Sequence, residues 1–579
     1  MKDWKYILKY LFRFKRELFF SISLIILETV FELIIPFLMK DIIDEGIHNQ
    51  NMQQILLSGG LIIGCAIISL ITGHFYAKYN AKLVTNFSYT LRKEVYQKIQ
   101  EYSFSNLDHF QTSSLVTRIT NDVTIMQNTL VGGIRPLCRA PLMLCMGIGL
   151  SFAMAPKLAW IFIAFVPILA FILFLIIRKT APKYSSLQTN IDELNQVVRE
   201  NVSAIRTVKS YVREDFENAK FHNANHKVMT TTKNTFKIAQ LNQPSFQLTM
   251  YSVTVMILGF GTLLVHNHEL QVGSLSALLS YILQIINSLM LISNVFLLIN
   301  RSFASSKRLR EILTEEPSIT SPFSALKQIN AGEIEFKNVS FKYKETSEEY
   351  VLKDINLKIA SGESIGILGG TGSAKSTLVS LILRLYDTTE GEVLLNGENV
   401  KKYDLKVLRD NVAIVLQNNV LFSGTIKENL LWGDPNATPE DILRVCEIAC
   451  AQEFLERLPN GLDYDLGQGG VNVSGGQKQR LCIARALLKK PHVIIFDDST
   501  SACDMETERN ILRGIRSLNG VTNIIIGQRI TSVMEADKII ILENGKIENI
   551  GSHEELLKSS AIYQELYQEQ LGGVESCHQ

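Results

Sequence analysis

The sequence predicts two domains of different class: an all-α domain of six membrane-spanning helices, followed by an α/β domain of the P-loop type. Three observations carry that expectation. Six apolar stretches, each long enough for the about 20 residues that a bilayer crossing takes, fall before residue 300. A strand pattern, a glycine-rich loop, a Lys-Ser pair and a helical pattern follow one another from residue 364. Farther on, four apolar residues end in two carboxylates, Asp497 and Asp498.

Size and composition agree. A chain of 579 residues exceeds one ordinary domain. A hydrophobic content of 46% with a mean hydropathy of +0.13 is what an apolar half joined to a soluble half would give. The net charge of +1 argues against a polyanion binder, so nucleic acid is not an expected partner. The eight cysteines form no Cys-x-x-Cys pair and have no histidines at metal spacing. They read as buried or idle thiols in a reducing compartment.

No cleavable signal is expected ahead of the first apolar run. Residues 1–16 instead interleave Lys2, Lys5, Lys9, Arg13, Lys15 and Arg16 with Trp4, Tyr6, Tyr10, Phe12 and Phe14. This pattern predicts an interfacial helix on the inner membrane surface, in contact with membrane lipids. The spans are placed near residues 17–41, 55–78, 132–154, 158–178, 243–266 and 273–298. Long polar segments of helical pattern separate the second from the third and the fourth from the fifth, so the helices should continue beyond the membrane. Those long segments carry Lys82, Arg92, Lys93, Lys98, Arg118, Lys183, Arg199, Arg206, Lys209 and Arg213. Apart from Lys157, the short connections carry no Lys or Arg. The bias places the long segments and both termini in the cytoplasm.

Charges inside spans are costly unless they face the bundle interior or water. Glu28 and Glu32 share one face of the first span and Arg139 lies in the third. They predict a cation-attracting pocket, an interhelical ion pair, or a structural element near Pro36. Gln247, Gln284, Asn287 and Asn294 are expected to line the same interior or to join helices by hydrogen bonds.

The pattern changes near residue 331, after a linker placed at 316–330. Alternation over Ile334–Val339 reads as a strand. A second strand, Ser364 to Leu368, runs into Gly369, Gly370, Thr371, Gly372, Ser373, Ala374, Lys375, Ser376 and Thr377. In such a loop the backbone N–H groups and a helix N-terminus surround phosphate oxygens. Lys375 would place its charge at the β and γ phosphates, and the Ser376 hydroxyl would ligate Mg²⁺. Ala374 stands where a second glycine is usual, and its methyl is expected to strain the loop without abolishing binding. Asp497, at the end of the apolar run Val493 to Phe496, is placed to hold Mg²⁺ through water. Asp498 is the candidate base for an attacking water.

Between these blocks stands Val473-Ser474-Gly475-Gly476-Gln477-Lys478-Gln479-Arg480. This run resembles the signature motif of ATP-binding cassette (ABC) proteins. With six spans before it, the chain resembles an exporter-type half-transporter over nearly its whole length. The resemblance implies an all-α six-helix transmembrane domain (17–315), an α/β P-loop NTPase nucleotide-binding domain (331–570) and a tail (571–579). It implies ATP and Mg²⁺ as ligands. It also implies that Tyr343 stacks on adenine, that Gln417 links Mg²⁺ to the membrane domain, and that Ser501-Ala502-Cys503-Asp504 is the D-loop, with Asp504 its acid. Thr117–Val123 resembles the segment after a first coupling helix, and Ala204–Lys209 the segment leading into a second.

Two catalytic positions depart from the family pattern. Asp498 stands where glutamate is usual and Gln528 where a switch histidine is usual; Gly467-Gln468-Gly469-Gly470 also lacks a common glutamate. An aspartate carboxylate is retracted by about an ångström, a displacement that can cost on the order of 100-fold in rate. Gln528 can donate a hydrogen bond but cannot carry the charge of a histidine. The departures imply a site that binds ATP and hydrolyses it slowly, while Ser474, Gly475, Gly476 and Gln477 complete a partner's site. The expected partner is a homologous half-transporter with the catalytic Glu and His intact, forming a heterodimer; a homodimer is the alternative. The implied activity is ATP-driven export of amphipathic small molecules or lipid-like compounds across a bacterial cell membrane. The alternatives are a nucleotide-sensing regulatory subunit, or the same fold exporting peptides or lipid precursors.

Overall fold

A computed structural model of the chain describes residues 2–344, 346–499 and 503–575, with backbone alone at 293, 294, 296, 297, 300, 301 and 571–575. Contacts divide the chain into two compact units, one of Met1–Gln100 with Thr112–Glu315 and one of Glu101–Gln111 with Glu316–Gln579.

The first unit is helical. Among the described residues, six stretches are long and apolar enough to cross a membrane: Lys2–Ile47, Met52–Gln100, Thr112–Met154, Pro156–Ser203, Glu214–His266 and Val272–Ile292. The last belongs to a helix running from Val272 to Thr314. As expected, the helices outrun their apolar segments. Lys157 pairs with Glu269 at 2.5 Å and so joins two of the short connections. Asp44 Oδ1 accepts the Gly273 N–H at 2.6 Å, capping the N-terminus of the sixth helix.

The basic N-terminal stretch forms the helix Lys2–Leu8 and a turn, Leu11–Phe14. Much of its apolar side is spent on protein. Ile7 is fully buried, Trp4 Nε1 donates to Ser302 Oγ at 2.9 Å, and Asp3 pairs with Arg310. Glu32 does pair with Arg139 between the first and third helices. A second pair, Glu28 with Arg135, lies one turn away. Glu28 is 5% exposed, its Oε2 makes no hydrogen bond, and the Arg135 guanidinium sits 5.7 Å from the Tyr76 ring centroid. Gln284 is partly buried, and Gln247 and Asn287 are exposed on this unit. The side chain of Asn294 lies outside the described residues. Beyond the apolar segments, Arg308 Nε donates to Asp122 Oδ2 at 2.8 Å and Ser305 Oγ donates to Asp122 Oδ1 at 2.9 Å, fastening the third helix to the sixth.

The second unit holds two sheets. Strands β1 (Ile334–Phe341), β2 (Leu352–Ile359), β3 (Ser364–Leu368), β4 (Glu390–Leu395) and β5 (Glu398–Asn399) precede β6 (Val412–Val415), β7 (Val493–Asp497), β8 (Thr522–Ile526), β9 (Lys538–Glu543) and β10 (Lys546–Gly551). The antiparallel sheet runs β2-β1-β4-β5. The larger runs β10-β9-β3-β8-β7-β6, with β9 through β6 mutually parallel. Every residue of β3, β7 and β8 is buried. A parallel strand covered on both faces must be apolar along its length, which is why these runs do not alternate. One face packs on the small sheet through Phe336, Ile365, Ile367 and Ile495. The other packs on helices through Ile494, Leu481 and Leu487.

Residues 316–330, read from the sequence as a linker, are fastened along much of their length. Ile319 and Ile329 are buried, and the Leu326 N–H donates to the Lys402 carbonyl at 2.9 Å. Glu101–Gln111 joins this unit rather than the helical one. Its helix Phe104–His109 is held by buried Asn106, whose Nδ2 donates to the Glu316 carbonyl at 3.0 Å and whose Oδ1 accepts the Ser318 N–H at 3.0 Å.

Candidate nucleotide site

Four neighbouring strands bring the site residues to one edge of the parallel sheet. β3 ends in the glycine-rich loop, and the helix Lys375–Ile382 starts directly after it. Asp497 closes β7, opposite Ile526 of β8. Gln528 follows β8 by two residues, and Gln417 follows β6 by two. The sequence places these residues far apart; the strand order makes them neighbours.

In the loop, Gly372 has φ +84° and Ala374 φ +74°. Ala374 therefore occupies the left-handed region, where a Cβ costs about 1–2 kcal/mol. This is the physical location of the strain expected there. Lys375 Nζ donates to the carbonyls of Gly369 at 2.7 Å and Gly370 at 2.8 Å, and to Ser373 Oγ at 3.2 Å. Burial lowers the Lys375 pKa, against the pull of Asp497 and Asp498. Ser376 Oγ donates to Asp497 Oδ1 at 2.9 Å. Burial raises the Asp497 pKa; the charge of Asp498 adds to the rise, while Ser376 and Lys375 oppose it.

Asp498 also adopts a left-handed backbone, φ +47°, and its N–H donates to the Ile526 carbonyl at 3.0 Å. Its Oδ2 accepts from Gln417 Nε2 at 3.2 Å and from Gln528 Nε2 at 3.4 Å. Tyr343 lies beside the loop helix, its hydroxyl 2.8 Å from Thr377 Oγ1 and its ring half exposed. The loop, Tyr343, Gln417, Asp497, Asp498 and Gln528 are thus one constellation. Its chemistry fits a magnesium nucleotide. A buried ammonium suits phosphate oxygens, and a hydroxyl beside a desolvated carboxylate suits a hard cation.

Ser474 to Gln477 form a separate feature. Ser474 caps the helix Gly475–Leu488. The Ser474 N–H donates to Gln477 Oε1 at 2.8 Å, and the Gln477 N–H to Ser474 Oγ at 3.4 Å, a reciprocal capping box. Ser474 and Gly475 are exposed. Asp504 caps the next helix, accepting the Thr507 N–H at 2.9 Å, and that bond lowers its pKa. Ser501 and Ala502 of the expected D-loop lie outside the described residues. Sequence reasoning missed Gln570, which clamps the segment after β8: its Oε1 accepts the Ile530 N–H at 2.8 Å and its Nε2 donates to the Gln528 carbonyl at 2.9 Å. A glutamine in an amphipathic C-terminal helix gives no signal of that role.

Fold and site together define a membrane protein that carries a P-loop nucleotide-binding domain. The comparisons with known proteins make the class specific. The ABC transporter transmembrane region family matches residues 18–289, and the ABC transporter family matches residues 352–501. The chain is 38% identical over 559 residues to the uncharacterized ABC transporter ATP-binding protein YfiB of Bacillus subtilis (strain 168), covering 96% of this chain and 97% of that protein. It is 32% identical over 570 residues to the "Putative multidrug export ATP-binding/permease protein SAB1799c" of Staphylococcus aureus (strain bovine RF122 / ET3-1), covering 96% and 97%. In fold it is similar to a bacterial Atm1-family ABC exporter solved with ATP bound, with a TM-score of 0.82, 22% identity, and coverage of 96% of this chain and 98% of that one. The chain belongs to the ABC transporter family. It is an ATP-binding half-transporter of exporter architecture and a multi-pass membrane protein.

Proposed function

We propose that the chain is one subunit of a heterodimeric exporter that moves amphipathic drugs or lipid-like compounds out of a bacterial cell, with both termini and the nucleotide domain in the cytoplasm. In this reading residues 17–315 form the membrane domain, 316–330 the linker and 331–570 the nucleotide domain. The glycine-rich loop with Lys375 holds the triphosphate and Tyr343 stacks on the base. Ser376, Gln417 and, through water, Asp497 would hold Mg²⁺, which would supply charge neutralisation to the triphosphate.

The observation that carries the reading is the setting of Asp498. A base must aim an oxygen at the attacking water. The short Asp498 side chain instead directs Oδ2 to two glutamine amides, and Gln528 brings no positive charge to the γ-phosphate. The site therefore keeps ATP and turns it over slowly. The signature is intact, and its exposed helix N-terminus is suited to a partner's γ-phosphate. Closure of two such domains over ATP would turn the cavity outward, and hydrolysis at the partner's site would reset it. A partner is also suggested by the segment after the helix Ile205–Ser210, where Tyr211 is 74% and Val212 80% exposed.

The test sets two substitutions in this chain against each other, in proteoliposomes holding it with its companion. Gly476→Asp should abolish drug uptake, because it injures the partner's site. Asp498→Asn should lower uptake by less than about threefold, because little turnover passes through this site. The opposite ranking would overturn the reading, as would brisk ATP hydrolysis by this chain paired with itself.

A further inference from the structure

Strand β8 ends at Ile526, and the residues after it carry Gln528 to the nucleotide site. Gly527 still hangs on the sheet, its N–H donating to the Ile367 carbonyl at 3.2 Å. Arg529 is extended, with φ −99° and ψ 134°. The carbonyl before it and the N–H after it therefore point to one side, as they do toward a neighbouring strand. The side chain of Gln570 stands where that strand would be. Its Nε2 donates to the Gln528 carbonyl at 2.9 Å and its Oε1 accepts the Ile530 N–H at 2.8 Å. The Ile530 N–H opens the short helix Ile530–Val533, which Arg529 does not cap with its side chain. One orphan donor of that helix thus finds its acceptor in Gln570.

We propose that Gln570 is a positioning residue: it fixes the main chain at residues 528–530 so that the Gln528 amide is held ready for a γ-phosphate, and thereby sets how strongly the site prefers a nucleoside triphosphate to a diphosphate.

Gln570 can hold this segment because its own helix is anchored. In Ala561–Glu575, Leu566, Tyr567 and Gln570 follow Tyr563 by three, four and seven residues and so share one face. Tyr563 is fully buried, and Leu566 and Tyr567 pack on the same core. The Tyr563 hydroxyl lies 2.6 Å from His553 Nδ1, and Gln564 Nε2 donates to the Leu557 carbonyl at 2.6 Å. Gln570 is the polar end of an apolar stripe, two turns from its buried anchor. Gln528, by contrast, is exposed and reaches Asp498 Oδ2 over 3.4 Å. A side chain bonded so weakly at its tip depends on its main chain for its aim. The phosphate loop does not lean on the same helix. A cavity of about 370 Å³ opens between Gly369–Ser373 and the side chains of Glu565 and Glu569. Loss of the Gln570 amide should therefore disturb the contact to a γ-phosphate and spare those to the other phosphates.

The inference rests on the reading that Gln528 meets the γ-phosphate, and not on the heterodimer or on slow hydrolysis. Its test uses the full-length chain in nanodiscs and measures equilibrium binding of Mg·ADP and of the magnesium complex of a nonhydrolysable ATP analogue. Gln570→Leu keeps a helix-forming side chain of similar size and removes both bonds. It should cut the preference for the triphosphate about tenfold, the scale of one hydrogen bond to a charged group, with the affinity for ADP unchanged. Gln528→Ala should cut it as much, and the double variant no more than either single one. An equal weakening of ADP and analogue binding in Gln570→Leu would reveal a merely structural role and overturn the proposal. An unchanged preference in Gln570→Leu, or additive losses in the double variant, would overturn it too. Gln528→Ala tells the two failures apart. If it leaves the preference intact, the γ-phosphate role of Gln528 falls and the proposal with it; if it lowers the preference while Gln570→Leu does not, the positioning role alone falls.

Discussion

Lengthening the Asp498 side chain should raise ATP turnover at this chain's own site. Asp498 Oδ2 lies 3.2 Å from Gln417 Nε2 and 3.4 Å from Gln528 Nε2. Asp498→Glu adds one methylene and carries the carboxylate outward by about an ångström. Misplacing a reacting group by about 1 Å costs about 100-fold, so the restored reach is worth up to about 2.7 kcal/mol of barrier. Two effects subtract from it. At φ +47° the backbone suits aspartate better than glutamate, a penalty of about 1 kcal/mol. Gln528 still brings no charge to the γ-phosphate. The single variant is therefore expected to gain about tenfold, and Asp498→Glu with Gln528→His to approach about 100-fold. The assay is phosphate release at saturating Mg·ATP in the proposed heterodimer, with the catalytic glutamate expected in the partner removed so that only this site reports. A double variant no faster than the parent would refute the proposal that a short carboxylate and an uncharged switch residue limit turnover at this site.

The loop, the metal-side carboxylate and the membrane ion pairs each give a further test. Ala374→Gly relieves a left-handed alanine worth about 1–2 kcal/mol and, after the entropy of glycine is deducted, should slightly raise the melting temperature of the nucleotide-free protein; a lower one would show that the methyl supports the loop. Asp497→Asn should raise the melting temperature of the nucleotide-free protein at neutral pH, because burial raises the folded-state pKa of Asp497 and its ionisation opposes folding. That contribution is intact below the ordinary aspartate range and is lost as pH rises through the folded value, so the gain from Asn should shrink on acidification; a gain independent of pH would contradict this. Glu28→Ala should destabilise the membrane unit by about 2 kcal/mol, less than a fully buried pair would lose because Arg135 is 41% exposed. Adding Arg135→Leu should recover much of the loss, as seen by thermal unfolding in detergent.

The parts of the fold legible in the sequence are those fixed by local pattern. Membrane helices and buried parallel strands both write themselves as uninterrupted apolar runs, and the order strand, loop, Lys-Ser, helix announces the phosphate site without any tertiary knowledge. Residues 101–111 illustrate the limit. Their allegiance to the second unit depends on Asn106 and Asp108 finding partners more than 200 positions away, and nothing local marks those two polar residues apart from others. Arg135 is an intermediate case. Arg135 and Arg139 repeat the four-residue spacing of Glu28 and Glu32, so two matched helix faces could have been paired from the sequence. Gln247 and Asn287 lie on exposed faces of this unit, and no local pattern warns of it, since an almost wholly apolar helix has no polar side from which to judge its rotation. At the nucleotide site the residue types were readable, but their grouping was not: the strand order β3-β8-β7-β6 sets Gln417, Asp498 and Gln528 side by side.

The second membrane helix, Met52–Gln100, is a single rod of 49 residues without a proline. At 1.5 Å per residue it is about 73 Å long, and the hydrocarbon layer takes up only about 30 Å of that. Such a rod works as a lever whose fulcrum is the bilayer. A rocking of about 5° at the membrane would sweep its free end through roughly 4 Å, about the diameter of a methyl group, with no hinge needed along its length.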